Sequence, residues 1–471
     1  MAPMLNPIGL LTEYLRSNLR SDILTPSDPG YKEIIFRWSE TIKNHAAIVV
    51  LATSAKDISL TIRACCQWEV PFAVAGGRHT TSNGSSCDKG LVIDLREMRR
   101  VCVDPELKCV RVQGGCIWKD VDSALAPHGL AAVGGTVNDT GVGGLALGGG
   151  YGWLSGRHGL IIDNLVGVQM VMADGSNRFV SRKDHPELFW ALQGAGQCFG
   201  VAVEFGLRVH EQRNPVWAGL LGFPLSDLEA VFNFANELVE RTDGDSAMMV
   251  AISTYPFSNG ELAIVAPVFH NGNAESGTSI FQPLLDLNPS INTVSQRPYV
   301  EVNQMMNVNG GGRNVSKGAA FTTPLRPEFV RETLVPQMRH LQTLIPDSRK
   351  TMIQFEFYKP DAWCKVPVTA TAHGHRGYVQ NVMIHPHWRN VDDDGVAERW
   401  SREVAGLVVH ERINHGTAGP ITEYGNYDHL SANPVQVYGL NYDGLVEVKK
   451  QYDPNNVFNK WYSLVDEQQS L

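Results

Sequence analysis

Along residues 46–210 the apolar positions fall into short runs and helical repeats that alternate. AAIVVLA (46–52) is short and unbroken, which predicts a buried strand. SAKDISLTIRACCQWE (54–69) carries its apolar residues at helical spacing, with Ser54 placed to cap the N-terminus. PFAVAGG and GLVIDL (90–95) read as strands, and CVRVQGG (109–115) alternates as a strand that ends at glycines. IWKDVDSALAPHG (117–129) predicts a helix stopped by Gly129. VGVQMVMADGS (166–176) predicts a strand with an Asp-Gly turn, HPELFWALQGAG (185–196) a helix before a glycine turn, and VAVEFGLRVH (201–210) an alternating strand. Residues 8–20 have the pattern of a short amphipathic helix.

Beyond residue 210 the pattern changes. Residues 226–241 and 327–344 repeat as amphipathic helices. MMVAIST (248–254), ELAIVAPVF (261–269), TMIQFEFY (351–358) and YVQNVMIHPHW (378–388) read as strands, so an antiparallel sheet with helices on one face is expected. NVNGGGRNVSKG (307–318) reads as a long polar loop. YGLNYDGLVEVKKQYDPNNVF (438–458) reads as a helix over 442–450 and a turn at Asp453-Pro454, returning to the first unit. The resulting division is α+β: 1–210 with a core of about 42–210, a central unit over 211–420, and a returning segment over 421–471.

Composition narrows the class. The chain has 471 residues, a net charge of −9 and no block of lysine or arginine, which disfavours nucleic acid as a partner. No apolar run approaches the roughly 20 residues of a membrane span, and the N-terminal stretch lacks the order of a signal peptide. A cytoplasmic protein, monomer or homodimer, is expected. The eight cysteines include no CxxC pair, so reduced thiols are expected.

Two segments concentrate glycine: AGGRHTTSNGSS (75–86) and GGTVNDTGVGGLALGGGYG (134–152). Glycine permits close approach of a ligand to the main chain, and consecutive amides form a nest for a diphosphate. GAGQCFG (194–200) contains GxG but follows a helix, whereas the Rossmann fingerprint follows a strand and opens a helix. No GxxxxGK[ST] is present. One loop alone reads as a tight turn; two in one alternating unit fit a large phosphate-bearing cofactor that spans both.

These loops, with VQGG, DVDSAL, GWLSGRHGLIIDNL, HPELFWALQGAGQCFGV and the closing YGNYDH…YDPNNVF, resemble the FAD-binding domain of the vanillyl-alcohol oxidase/para-cresol methylhydroxylase superfamily. Within it they are most similar to the fungal-type berberine-bridge-enzyme-like branch. The resemblance implies a two-part FAD-binding domain plus a central substrate domain with an antiparallel sheet covered by helices. It implies FAD contacts at Gly76, Gly77, Arg78, His79, Thr80, Gly135, Thr136, Thr140, Gly141, Gly144, Gly149, Gly150 and Val201. It also implies a covalent bond from His79 to the flavin C8 methyl, which answers why a histidine stands inside a phosphate loop. Val137 occupies the place of the cysteine that makes a second bond in many relatives, so one bond is expected; Cys116 and Cys198 read as small buried residues. The chain departs from the pattern at Ala75, at Arg78 where a third glycine is usual, and at Lys460, Trp461 and Tyr462.

Oxidation by flavin takes a hydride to N5 and needs a base for the accompanying proton. Tyr427 in YGNYDH matches the tyrosine that serves relatives, and would need a positive neighbour or the flavin itself to lower its proton affinity. Glu356 is a rival base: Gln354, Glu356 and Tyr358 share a strand face that either lines the substrate cavity or meets solvent. His373, His375, His385 and His387 suggest a metal, but no matched carboxylate or cysteine stands at zinc spacing, and His375-Arg376 matches a pair in relatives without metal. No metal is therefore expected. The reading is an FAD oxidase acting with O2 on a small metabolite, of the kind tailored in natural-product biosynthesis. A cyclase or isomerase without net redox is the alternative, and a binding module that has lost its chemistry the third possibility.

Overall fold

Ser54 accepts a hydrogen bond from the Asp57 amide and starts the helix Ala55–Gln67, which connects the strands Ile48–Leu51 and Phe72–Ala75. These two strands flank Leu91–Asp94, both parallel to it, and Asp22–Leu24 adds an antiparallel edge. Both faces of this four-stranded sheet are apolar, and each is buried in its own cluster, one around Ile48, Ile58 and Ile93, the other around Val49, Ala73 and Val92. The computed structural model describes residues 6–42, 44–212, 215–307, 310–416, 421–428, 430 and 433–465.

A second, antiparallel sheet runs Val101–Asp104, Cys109–Gln113, Gly200–Glu211, Leu165–Met172, Asn177–Ser181, with Leu130–Ala132 also paired to Gly200–Glu211. The helix Trp118–Leu125 ends in a short turn stopped by Gly129 at φ 64°. The helix Pro186–Ala195 breaks at Gln193 and Gly194; Gly194 has φ 138°, and a Cβ there would lie 2.4 Å from the His373 amide nitrogen.

The third sheet has eight antiparallel strands, in the order Ile291–Asn292, Val216–Pro224, Leu262–His270, Ser246–Thr254, Met352–Phe357, Gln380–His385, Lys317–Phe321, with Ser295–Arg297 also on Val216–Pro224. Alternation divides it. Met248, Val250, Ile252, Ile353, Phe355 and Phe357 pack beneath the helices Leu228–Arg241, Val335–Leu344 and Asp394–His415. Ala247 and Met249 point the other way, into the core shared with the second sheet. The expected α+β architecture, an antiparallel sheet with helices on one face beside two smaller sheets, is the one observed.

Two expectations change, and one long helix was not expected. The segment 307–318 is not one loop: Arg313–Asn314 pairs with His387–Trp388, and Lys317 opens a strand. Its polar residues are held by partners far away in sequence, Ser39 Oγ donating to the Asn314 carbonyl and Arg313 pairing with Asp394; Val308 and Asn309 lie outside the described residues. The run 378–388 divides at Pro386 into two strands with different partners. The helix Asp394–His415 escaped the sequence reading because its buried stripe, Ala397, Trp400, Val404 and Val408, is threaded between charged residues.

Candidate active site

The first glycine segment leaves the C-terminal end of the parallel strand Phe72–Ala75, the end at which open sheets bind ligands. The second meets it there. A Cβ on Gly77 would fall 2.2 Å from the Gly141 nitrogen, and one on Gly141 2.4 Å from the Gly77 nitrogen. The two loops therefore touch backbone to backbone, and only glycine allows it. The cleft beside this contact lies between the first two sheets. Gly76, Gly77, Arg78, His79, Thr80, Thr140, Gly141, Gly144 and Val201 all line it.

Gly135, Thr136, Gly149 and Gly150 do not line it. Gly135 sits against Leu145 and Trp118, Gly149 (φ 124°) against the His373 ring, and Gly150 (φ 84°) against Ile161 while its amide donates to the Tyr424 hydroxyl at 3.1 Å. These glycines answer to packing behind the wall. No cysteine is among the lining residues, and the eight cysteines are free, with Cys116 and Cys198 buried.

Arg78 replaces a glycine without distorting the loop because it takes the left-handed conformation itself, φ 62°. Its Nε is buried and has no hydrogen-bond partner. Nearby, Arg37 is buried, donates to the Ser85 carbonyl at 2.8 Å, and is pushed down to about 10 by burial and adjoining guanidiniums. Arg96 pairs with Asp94 at 2.7 Å. Of the three guanidiniums only Arg78 lines the cleft, with the others behind it, and its charge together with the bare glycine amides suits a diphosphate.

The chain's last described segment closes the cleft with Val457, Phe458, Lys460 and Trp461. Lys449 seats it: its buried Nζ donates to Asp453 at 2.6 Å and to the carbonyls of Cys198 and Phe458 at 2.7 and 2.9 Å. Asp453 accepts in turn from the amides of Val457 and Phe458, both at 2.9 Å. This is the physical content of the YDPNNVF run. Lys460 and Trp461 were visible in the sequence only as departures from the family pattern.

Asn426 also lines the cleft, and its Nδ2 donates to the Leu145 carbonyl and the Tyr424 hydroxyl. Next to it, the Tyr427 hydroxyl donates to Glu356 Oε1 at 2.6 Å; Asn381 Nδ2 donates to Glu356 Oε2 at 3.2 Å. The face carrying Gln354, Glu356 and Tyr358 is buried, which removes the reading in which it meets solvent. Burial pushes Glu356 up to about 7 against the effect of its two donors. Enclosure, then the charge of Glu356 and the neighbouring phenols, hold Tyr427 well above the usual phenol value. No positive neighbour of Tyr427 is among these groups, and its hydroxyl is the donor to Glu356. Asn381 was missed because the strand pairing, not spacing, brings it to Glu356.

His373 and His375 are buried with rings 6.2 Å apart, and burial holds both below the usual histidine range. His375 Nδ1 bonds the Thr422 carbonyl at 2.6 Å, and Arg376 pairs with Asp163 at 2.7 Å. Among the described residues no three His, Cys, Asp or Glu side chains gather as metal ligands. No helix among them is long and apolar enough to cross a membrane.

Residues 46–180 match the FAD binding domain family, and residues 423–463 match the family described as berberine and berberine like. The FAD-linked oxidoreductase pgmH of Aspergillus terreus is 32% identical over 96% of this chain and 95% of its own. An FAD-linked oxidoreductase of Dictyostelium discoideum is 25% identical over 90% and 89%. Among solved structures, 6-hydroxy-D-nicotine oxidase from Arthrobacter nicotinovorans superposes with a TM-score of 0.81 at 23% identity, covering 98% of this chain and 100% of that one. Physcomitrella patens BBE-like 1 does so at 0.83 and 20%, covering 97% and 100%. Two glycine loops sharing one cleft, a closing segment stapled over it, and a relative matched along nearly its whole length lead to one assignment: the chain belongs to the FAD-linked oxidoreductases, in the branch that ends with a berberine-bridge-like segment.

Proposed function

We propose that this enzyme is an oxidase of a small organic metabolite, of the natural-product kind, in which Glu356 is the base and Tyr427 its hydrogen-bond partner. The supporting observation is the 2.6 Å bond between them, one residue from the cleft-lining Asn426. FAD bound in the cleft supplies a two-electron acceptor whose electrons pass to O2, giving hydrogen peroxide. Gly76, Gly77, Thr140, Gly141 and Gly144 hold its diphosphate, Arg78 faces that charge, and His79 tethers the ring covalently. Residues 211–420 form the substrate domain, with the Glu356 face as its floor.

A base that titrates near neutrality suits this chemistry, since a useful fraction is ionised and it still binds the proton it receives. Tyr427, protonated, donates to the ionised carboxylate and orients it; Asn381 fixes the second oxygen. The match to FAD-linked oxidoreductases supports net oxidation over a reaction without net redox.

The test is a peroxide-coupled screen of alcohols, amines and phenols, followed by anaerobic mixing with any substrate found. Flavin bleaching is expected. Glu356→Gln is expected to keep its flavin and bleach about 100- to 10,000-fold more slowly. In the wild type the bleaching rate rises with pH and levels above about 7, as Glu356 ionises; the variant loses that step. Turnover with an unbleached flavin would establish the cyclase or isomerase reading instead.

A further inference from the structure

We infer that Asp139 is the positioning residue for attachment of flavin at His79. The inference rests on the proposed tether, and it concerns a residue that neither the glycine pattern nor the family resemblance singled out. His79 Nε2 lies 3.2 Å from Asp139 Oδ1. That oxygen is buried and makes no hydrogen bond. The imidazole is stacked on Trp38, ring centroids 5.5 Å apart and planes 20° from parallel. Trp38 is held from behind by His385, 5.1 Å away, and its amide donates to the Arg78 carbonyl at 3.2 Å. The ring is thus stacked on Trp38 with the Asp139 carboxylate beside its Nε2. Asp139 comes to His79 on the loop that meets the first at Gly77 and Gly141, while Trp38 is held there by its own backbone bond to Arg78.

The consequence is chemical. A carboxylate 3.2 Å from Nε2 is close enough to accept that nitrogen's proton after a small turn of either side chain, and once it does so it favours the tautomer protonated there. The lone pair is then on Nδ1, the nitrogen turned away from Asp139. Attack by Nδ1 on the flavin methyl carbon forms one C–N bond and breaks one C–H bond. The imidazole and the methyl group each give up one hydrogen. The two electrons and two protons pass through the flavin to dioxygen, which becomes hydrogen peroxide, and the ring ends oxidised. As Nδ1 is alkylated, positive charge grows on the ring, and Asp139 stabilises it and takes the Nε2 proton.

The experiment compares purified wild type with Asp139→Asn, Asp139→Ala and Asp139→Glu. Acid precipitation separates linked from released flavin, mass spectrometry of the His79 peptide reads the attachment, and NMR of that peptide reads which nitrogen carries it. The wild type is expected to be linked through Nδ1. Asn and Ala are expected to bind FAD that acid releases, with attachment slowed by about a hundredfold, and Glu to restore part of it. Equal attachment in the Asn and Ala variants, or a wild-type bond through Nε2, overturns the role of Asp139. A wild-type His79 peptide without flavin sinks the tether itself, a distinct result. Should the Asn and Ala variants fail to fold, the wild-type nitrogen assignment still decides.

Discussion

Asp122 is enclosed without a cation: one oxygen accepts from Asn303 Nδ2 at 2.8 Å, the other has no partner, and burial pushes its carboxyl up to about 7. Because the folded state holds this proton more tightly than the unfolded state, the stabilisation is complete below about 3.8 and is lost as pH rises through 7. Asp122→Asn keeps the shape and removes the titration. Relative to wild type it is expected to gain about 3 kcal/mol between pH 5 and pH 8, read as a widening gap in melting temperature; a constant gap would refute the assignment. Glu356 follows the same sign, so its use as a base costs stability on the alkaline side. At this scale the sequence displayed the right residue types but not their surroundings. Glu356 showed as one of three polar residues on a strand face, while its burial and its bond to Tyr427, 71 residues away, were not visible.

Elements bring such residues together, and the contact of the two glycine loops is the clearest case. Gly141→Ala would press a methyl group against the Gly77 backbone, which has no side chain to move aside. Such overpacking costs about 1–3 kcal/mol, and the loops would separate at the place where both amide rows face the cleft. The expected outcome is a folded protein that loses most of its flavin on gel filtration, whereas Gly406→Ala, on the helix Asp394–His415 with nothing within 4 Å of its Cβ, retains it. Retention in both variants would show that loop contact does not shape the site. Most of these elements were legible, since period two and period 3.6 are local properties of the chain. The strand Val216–Pro224 and the helix Ala274–Leu285 were not read, nor were Arg313–Asn314 and Asp394–His415, the last two where polar residues are buried by partners supplied from elsewhere.

Across the whole molecule the cleft is assembled from segments nearly 400 residues apart, Phe72 to Trp461. Lys449 is the bolt between the ends. Replacing it by Met leaves the buried Asp453 with its two amide donors but no cation, a loss of about 3–5 kcal/mol. It also frees the segment that carries Phe458 and Trp461. Lys449→Met is expected to melt earlier and to release flavin to acid or dialysis more readily, even though residues 46–180 are unchanged. If flavin retention is unaffected, the first two sheets suffice for binding, and the C-terminal segment serves another purpose.

The amino-acid sequence by itself determined most strands and helices of the first 210 residues, the two glycine loops and the family, because each is written in residues near one another along the chain. Tertiary structure alone decided which glycines face the cleft and which merely pack, that Arg78 takes a left-handed conformation in place of glycine, and that Trp38 stacks on His79 with Asp139 beside it. Those facts depend on sheet order and on which backbones meet, and no spacing in the sequence encodes a distance between segments that fold onto each other from far apart.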